Sequence, residues 1–534
     1  MDDLRDLTGP SAGARIEVRQ LDPVPDLGAL AAAADGDLVW LDSALPDGAP
    51  EAARPRARWS VLTWADGPFG ARFRHQDRQA SVEVAAPAAG WFGSSSSDDR
   101  PAFTVLADLL ARTPQLPEPI AGCGFALGWV GFLGYELGRE SGGPDRTADG
   151  HADADLRFVD RAVVVDHTGD AWALTLVADA EPAASAQNRA WLETVTGSPS
   201  PADVADAATG LPAGVSSAVG RTSRADHERA VDACRAEIRE GNAFQVCLTT
   251  SFSVPGRGRE ARVGPGTDPH LSDPHLSDPH LSDPHLYDPH LYDYIRMRAS
   301  DPVPFGAYLR LGPLRVASRS PERFLRIAAD RTVLAEPIKG TRRRLADAAA
   351  DAAVRDELAA SAKDRAENVM IVDLLRNDLL RTAIPGSVHV ERLCAVETYA
   401  SVHQMVSTIG AVLPSGTAPA DVVRAAFPPG SMTGAPKISA MAIADRLEGA
   451  PRGVYSGTIG YFSASGAVDL SVVIRTLVTV VDAPGGGVGP VEVRSRTLGA
   501  GGAVTWSSVA ADEADEVETK TRSVLGAVGA VATW

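Results

Sequence analysis

Between Gly264 and His290 a proline recurs at every fifth residue, in five tandem DPHL units whose histidines are His270, His275, His280, His285 and His290. Proline lacks the N–H that a helix interior or a central strand requires, so this stretch can form neither. The fold must carry it as an insertion, and the spacing predicts a low-complexity repeat loop over 264–291. A histidine-rich metal tract is the competing reading. A five-residue period gathers no histidine face on a helix, which disfavours it.

On the N-terminal side, residues 1–200 read as short half-buried strands (DLVWLDSA, ARWSVLTW, RAVVVDH, WALTLVA) between Gly/Pro turns. Residues 201–222 lose all periodicity and read as a linker. A helix should then start at Ser223, stop at Gly241 and give way to a strand near Phe244. Beyond the repeat, strands (FGAYLRLG, LRVASR, GTIGYFSA, DLSVVIRTLVTVV) alternate with helices (AENVMIVDLLRNDLL, APADVVRAAF, PKISAMAIADRLE and about 513–525). Without regular βαβ spacing, this predicts an α+β catalytic region over 223–530, built on antiparallel sheets.

The chain has 534 residues and a net charge of −18, which disfavours nucleic acid and anionic membrane surfaces as partners. Cys123, Cys234, Cys247 and Cys394 form no CxxC or metal-ligand spacing. There is no apolar run of about 18 residues and no basic leader, so a cytoplasmic protein is expected.

Six stretches occur together and in order: SRSPERF (318–324), EPIKGTRR (336–343), AENVMIVDLLRNDL (366–379), SVHQMVSTIGA (401–411), FPPGSMTGAPKISAM (427–441) and GVYSGTIGYF (453–462). With them the chain resembles the chorismate-utilising enzymes, a family that includes anthranilate synthase component I, aminodeoxychorismate synthase component I, and isochorismate and salicylate synthases. The likeness covers about residues 224–527, and LDSA, RWS, GYELG and DRAVVVDH extend it weakly into the first 200. It implies large antiparallel sheets packed face to face with helices outside. The DPHL units then look like a tandem expansion of one segment leading into a helix.

Several residues are bland by themselves and acquire roles from the resemblance. Lys339 follows an apolar run and precedes a Gly-Thr turn, where a surface lysine needs no explanation. The family places lysine here in the members that aminate C4 of chorismate, as a covalent nucleophile. Glu322, a turn carboxylate by itself, would be the general acid that helps the C4 hydroxyl leave. Glu367 and Glu518 each stand four residues from a cation, Lys363 and Arg522, as surface pairs do; the resemblance makes them ligands of Mg²⁺. Arg475 interrupts an apolar strand and, with Tyr455, would hold the enolpyruvyl carboxylate. Ser431, Thr433, Gly434, Thr341, Gly501 and Gly502 would complete the substrate pocket. Gln245 stands where water-using members have a lysine base, so it points to ammonia as the nucleophile.

The resemblance is closest to aminodeoxychorismate synthase component I. It implies conversion of chorismate and ammonia to 4-amino-4-deoxychorismate, with ammonia from a separate glutamine amidotransferase subunit. Gln404 stands where histidine is common, Ser439 where an arginine usually follows the GAPK motif, and Ala503 where a glycine is expected; with an interval to Glu518 longer by about two residues, the register there is open. Anthranilate synthase component I is the alternative, and a non-catalytic chorismate-binding relative the third reading.

Overall fold

The computed structural model describes residues 5–8, 13–44, 51–148, 150–195, 215–256, 288–399, 402–482 and 493–534. Its strands form two large, almost wholly antiparallel sheets, of 14 and 12 strands. The sheets pack face to face. One continuous core joins Ile16, Val61, Val164, Leu309 and Val316 of the first to Phe73, Trp129, Phe158, Ile459 and Leu470 of the second. Helices cover the outer surfaces, which is the expected α+β architecture. Among the described residues, no helix is long and apolar enough to cross a membrane.

Strands from both ends of the chain interleave. Leu38–Asp42 pairs with Phe305–Leu311 in the 14-stranded sheet, and Gly128–Leu133 pairs with Thr458–Ser463 in the other. Residues 1–200 therefore supply part of each sheet.

Local expectations hold where the chemistry is local. Ser223 caps the Arg224–Arg239 helix by accepting from the Asp226 N–H, and Gly241 follows its end at φ +80°. Three expectations need correction. Ser216–Gly220, inside the expected linker 201–222, is a strand between Gln245–Ser253 and Ala530–Thr533; two other strands supply its ladder bonds, which no local pattern reveals. Residues 201–214 lie outside those described. The last DPHL unit, inside the expected loop 264–291, begins the Pro289–Ser300 helix: Asp288 accepts from the His290 N–H, and Pro289 needs no donor at the first helical position. The other repeats fall outside the described residues. DLSVVIRTLVTVV is two strands, Val468–Val472 in the 12-stranded sheet and Thr476–Val481 in the 14-stranded sheet. The chain crosses between sheets at Arg475, whose φ is +52°.

Candidate active site

Glu322 and Lys339 each sit at an irregularity in the 12-stranded sheet. The register of Arg323–Ile327 shifts between Arg323 and Leu325, and that of the edge strand Ile338–Arg343 between Ile338 and Thr341. An extra residue in a ladder re-aims the side chains beside it. Gly340, at φ +80°, is required here: a Cβ would lie 2.9 Å from Asp364 and from Leu358, in the helices packed on this strand.

The Glu322 side chain is buried, and burial raises its carboxyl to about 7. The Ser431 hydroxyl, the Lys339 charge and the Ile338 N–H oppose the rise. Ser431 faces the carboxyl without forming a well-shaped hydrogen bond to it. The Lys339 charge also acts on Glu367, Glu516 and Cys247, so Lys339 stands among these groups.

Glu367 lies on the Ala362–Leu380 helix, with Lys363 Nζ 3.9 Å away. Burial raises its carboxyl, Lys339 and Lys363 pull it down, and Glu516 and Glu513 push it up again. Glu513 is raised by burial and by Glu516, and its buried Oε2 has no hydrogen-bond partner. Lys520 holds the Glu516 carboxyl down across 2.6 Å and donates to Gly501 O at 2.7 Å. Both side chains remain more than two-fifths exposed, so solvent reaches them.

Glu518 is not part of this group. Its carboxylate accepts from Arg224 at 3.2 Å and from the Trp534 indole at 2.6 Å on another face of the Ala510–Ala527 helix. Two residues along a helix is about 200° around it, so Glu518 and Glu516 stand on different sides of this one. Glu513, Glu516 and Lys520, spaced i, i+3 and i+7, share one face, and that spacing was the available signal.

Glycines bring the remaining walls together. At Gly434 a Cβ would meet Gln245 O at 2.2 Å, so only glycine lets the 430–434 turn pair with the Gln245–Ser253 strand. At Gly501 it would meet Leu248 O at 2.5 Å, and at Gly499 the Tyr455 ring at 2.3 Å. Gln245 is fully buried, and both its amide atoms lack partners. Thr433 turns its hydroxyl back to Gly430 O, while its carbonyl accepts from the Cys247 N–H. Tyr455 is buried and Thr341 is exposed on the edge strand.

Arg475 stands in the turn whose Val473 carbonyl accepts from the Ser456 N–H at 2.9 Å, beside Tyr455. Burial lowers its guanidinium, and the charges acting on it are Asp301, 4.0 Å away, and Arg319. The N-terminal region reaches the site through Arg56, which binds Glu336 and Glu397 in the core; Glu336 also binds Arg323, the neighbour of Glu322.

The sequence profile described as chorismate binding enzyme matches residues 68–263 and 284–526. The chain is 38% identical to an aminodeoxychorismate synthase of Streptomyces pristinaespiralis, over 98% of this chain and 66% of that one. It is 41% identical to one from Streptomyces griseus, over 91% of this chain and 60% of the other. It is also 33% identical to aminodeoxychorismate synthase component 1 of Escherichia coli K12, over 79% and 87%. The chain thus spans less than two thirds of the length of the Streptomyces relatives. In fold it is similar to the crystal structure of anthranilate synthase component I from Streptococcus pneumoniae, with a TM-score of 0.63 at 23% identity, covering 94% of this chain and 98% of that one. With the profile matched on both sides of the repeat and relatives aligned along most of the chain, this protein belongs to the chorismate-binding enzyme family.

Proposed function

We propose that the chain replaces the C4 hydroxyl of chorismate with an amino group, forming 4-amino-4-deoxychorismate. The observation that carries this reading is the Glu322–Lys339 pair: a buried carboxyl held near neutrality beside a lysine on a re-aimed edge strand. Such a carboxyl is still protonated in about half of the molecules at pH 7 and can donate that proton. The neutral Lys339 amine attacks C2 of the ring, the double bonds shift, and the C4–O bond breaks. The oxygen leaves as water with the Glu322 proton. Ammonia then attacks C4, the double bonds shift back, and the C2–N bond to Lys339 breaks. One proton from the incoming ammonia restores Glu322, so chorismate and ammonia become aminodeoxychorismate and water.

Gln245 supports ammonia as nucleophile, because its buried amide offers a donor and an acceptor that nothing else uses. A glutamine amidotransferase subunit is the proposed ammonia source. Mg²⁺ is the proposed cofactor. The orphaned Glu513 Oε2 and the repulsion that Glu513 and Glu516 exert on the Glu367 carboxyl suit a hard dication, which needs only one or two protein carboxylates. Among the described residues no three His, Cys, Asp or Glu side chains form a group that could hold a metal by themselves. When bound, it would neutralise the ring carboxylate of the substrate beside Lys520.

The test is product analysis by mass spectrometry after incubating the full chain with chorismate, Mg²⁺ and ammonium. Aminodeoxychorismate is expected. Anthranilate as the main product would assign the chain to C2 amination and overturn this reading.

A further inference from the structure

Arg452, three residues before Tyr455, is a buried guanidinium that takes no part in the chemistry above. Its Nε and Nη2 form a fork on Glu448, at 2.9 and 2.7 Å, and both side chains are 3% exposed. The guanidinium lies 4.2 Å from the centroid of the Tyr135 ring, a residue of the N-terminal region. A core ion pair could stop there. The remaining N–H groups instead reach two backbone carbonyls, Met432 O at 2.7 Å and Cys247 O at 2.9 Å.

Those carbonyls belong to the two facing walls of the site. Met432 stands between Ser431, which faces Glu322, and Thr433. Cys247 is two residues from Gln245 and under the charge of Lys339. The walls also touch directly, Cys247 N–H to Thr433 O at 2.9 Å. Glu448 extends the same clamp by accepting from the Thr249 N–H at 2.8 Å. On the other side, Glu136 holds the Arg452 and Gly453 N–H groups at 2.7 and 3.0 Å, fixing the turn from which the arginine projects.

We propose that Arg452 is a positioning residue for the reaction: clamped by Glu448 and Tyr135, it sets the spacing between the strand that carries Gln245 and the turn that carries Ser431. The proposal rests on the amination reading for its kinetic consequence. Arginine is required because only its planar fork serves four acceptors at fixed angles; lysine carries the same charge with different geometry.

Three variants test it: Arg452→Met, Arg452→Lys and Glu448→Gln. Each is purified, checked for cooperative unfolding and assayed with chorismate, Mg²⁺ and ammonium, while amide hydrogen exchange is followed along the chain. A displacement of about 1 Å between reacting groups costs about 100-fold. The expected result is therefore a kcat about 100-fold lower in both arginine variants, per folded molecule, with KM for chorismate little changed. The Cys247 and Thr249 amides should exchange about tenfold faster, while helix 362–380 stays protected. If the arginine variants do not fold, Glu448→Gln carries the test, because it keeps Arg452 and weakens its hold. An unaltered kcat overturns the proposal, even with faster exchange, and so does full rescue by lysine. If the unmodified chain makes no aminated product, the reaction reading fails by itself, and the exchange pattern still decides whether Arg452 holds the two walls together.

Discussion

Gly502 and Glu513 meet so closely that a Cβ on the glycine would lie 2.7 Å from the carboxylate Oε2. That oxygen has no other partner, so the missing side chain is what leaves it free. Gly502→Ala should push the Glu513 carboxylate out of line and weaken Mg²⁺ binding about tenfold, as displaced supporting groups do in metal sites. Calorimetric titration of Mg²⁺ into the folded variant reads this without reference to turnover. An affinity equal to that of the unmodified chain would remove Glu513 from the metal reading.

The three glutamates of the last helix should separate by face. Glu516→Gln should raise the Mg²⁺ concentration needed for half-maximal activity. Glu518→Gln should leave it unchanged and cost only about 0.5 kcal/mol, because its half-exposed contacts with Arg224 and Trp534 are of the surface kind. Metal activation curves for the two variants, with urea unfolding of each, check both parts.

Lys339→Ala should abolish a chorismate-derived mass adduct and lower kcat by about 1,000-fold or more. Lys339→Arg keeps the charge and should fail equally, since a guanidinium is not a nucleophile at neutral pH. An adduct that survives in either variant places the covalent bond on another residue.

Glu322 works in its protonated form, and burial raises that carboxyl to about 7. With free ammonia held constant, the ratio of kcat/KM for the unmodified chain to that for Glu322→Gln should be constant below this pH and fall about tenfold per unit above it, because the charge on Lys339 affects both alike. Glu322→Gln should be slow. A ratio that stays constant between pH 6 and pH 8.5 contradicts the assignment.

Arg56 ties residues 1–200 to the site, through Glu336 at 2.8 Å and Glu397 at 2.6 Å. Burial would raise the Glu397 carboxyl, yet its bonds to Arg56 bring it down to about 2. A depressed carboxyl stabilises the fold above its unfolded value near 4.5, and that contribution disappears as pH falls toward 2. Arg56→Met removes the cation that the two buried acids share, leaving Glu336 to Arg323 and Glu397 to Arg392, and should cost about 2 kcal/mol at pH 7, with a smaller difference in acid. Urea unfolding at pH 7 and pH 4 tests the size and the sign.

How much was legible depends on how far each feature reaches along the chain. Ser223 and Gly241 announce a helix through bonds to their own neighbours, and the helix is there. Glu322, Lys339 and Glu367 lie in ordered motifs whose spacing carries them to one place. That Glu518 lies apart from Glu513 and Glu516 is not legible, because acids two and five residues apart on a single helix differ only in angle, and packing against Gly501 and Gly502 sets the angle. Ser216–Gly220 looked like linker because both of its partners are distant in sequence. Arg475 interrupts an apolar run as a buried anchor would, but the run itself divides between sheets there. Arg452 carries no local sign, since its acceptors are backbone carbonyls.

The interleaved strands bear on how such a chain can change over time. A cut between the first 200 residues and the rest would separate Leu38–Asp42 from Phe305–Leu311 and Gly128–Leu133 from Thr458–Ser463, baring a strand edge in each sheet on both fragments. Bare edges recruit other chains, so neither fragment could be exchanged as a module without risking aggregation. Recombination within the family must therefore trade the two stretches as a unit.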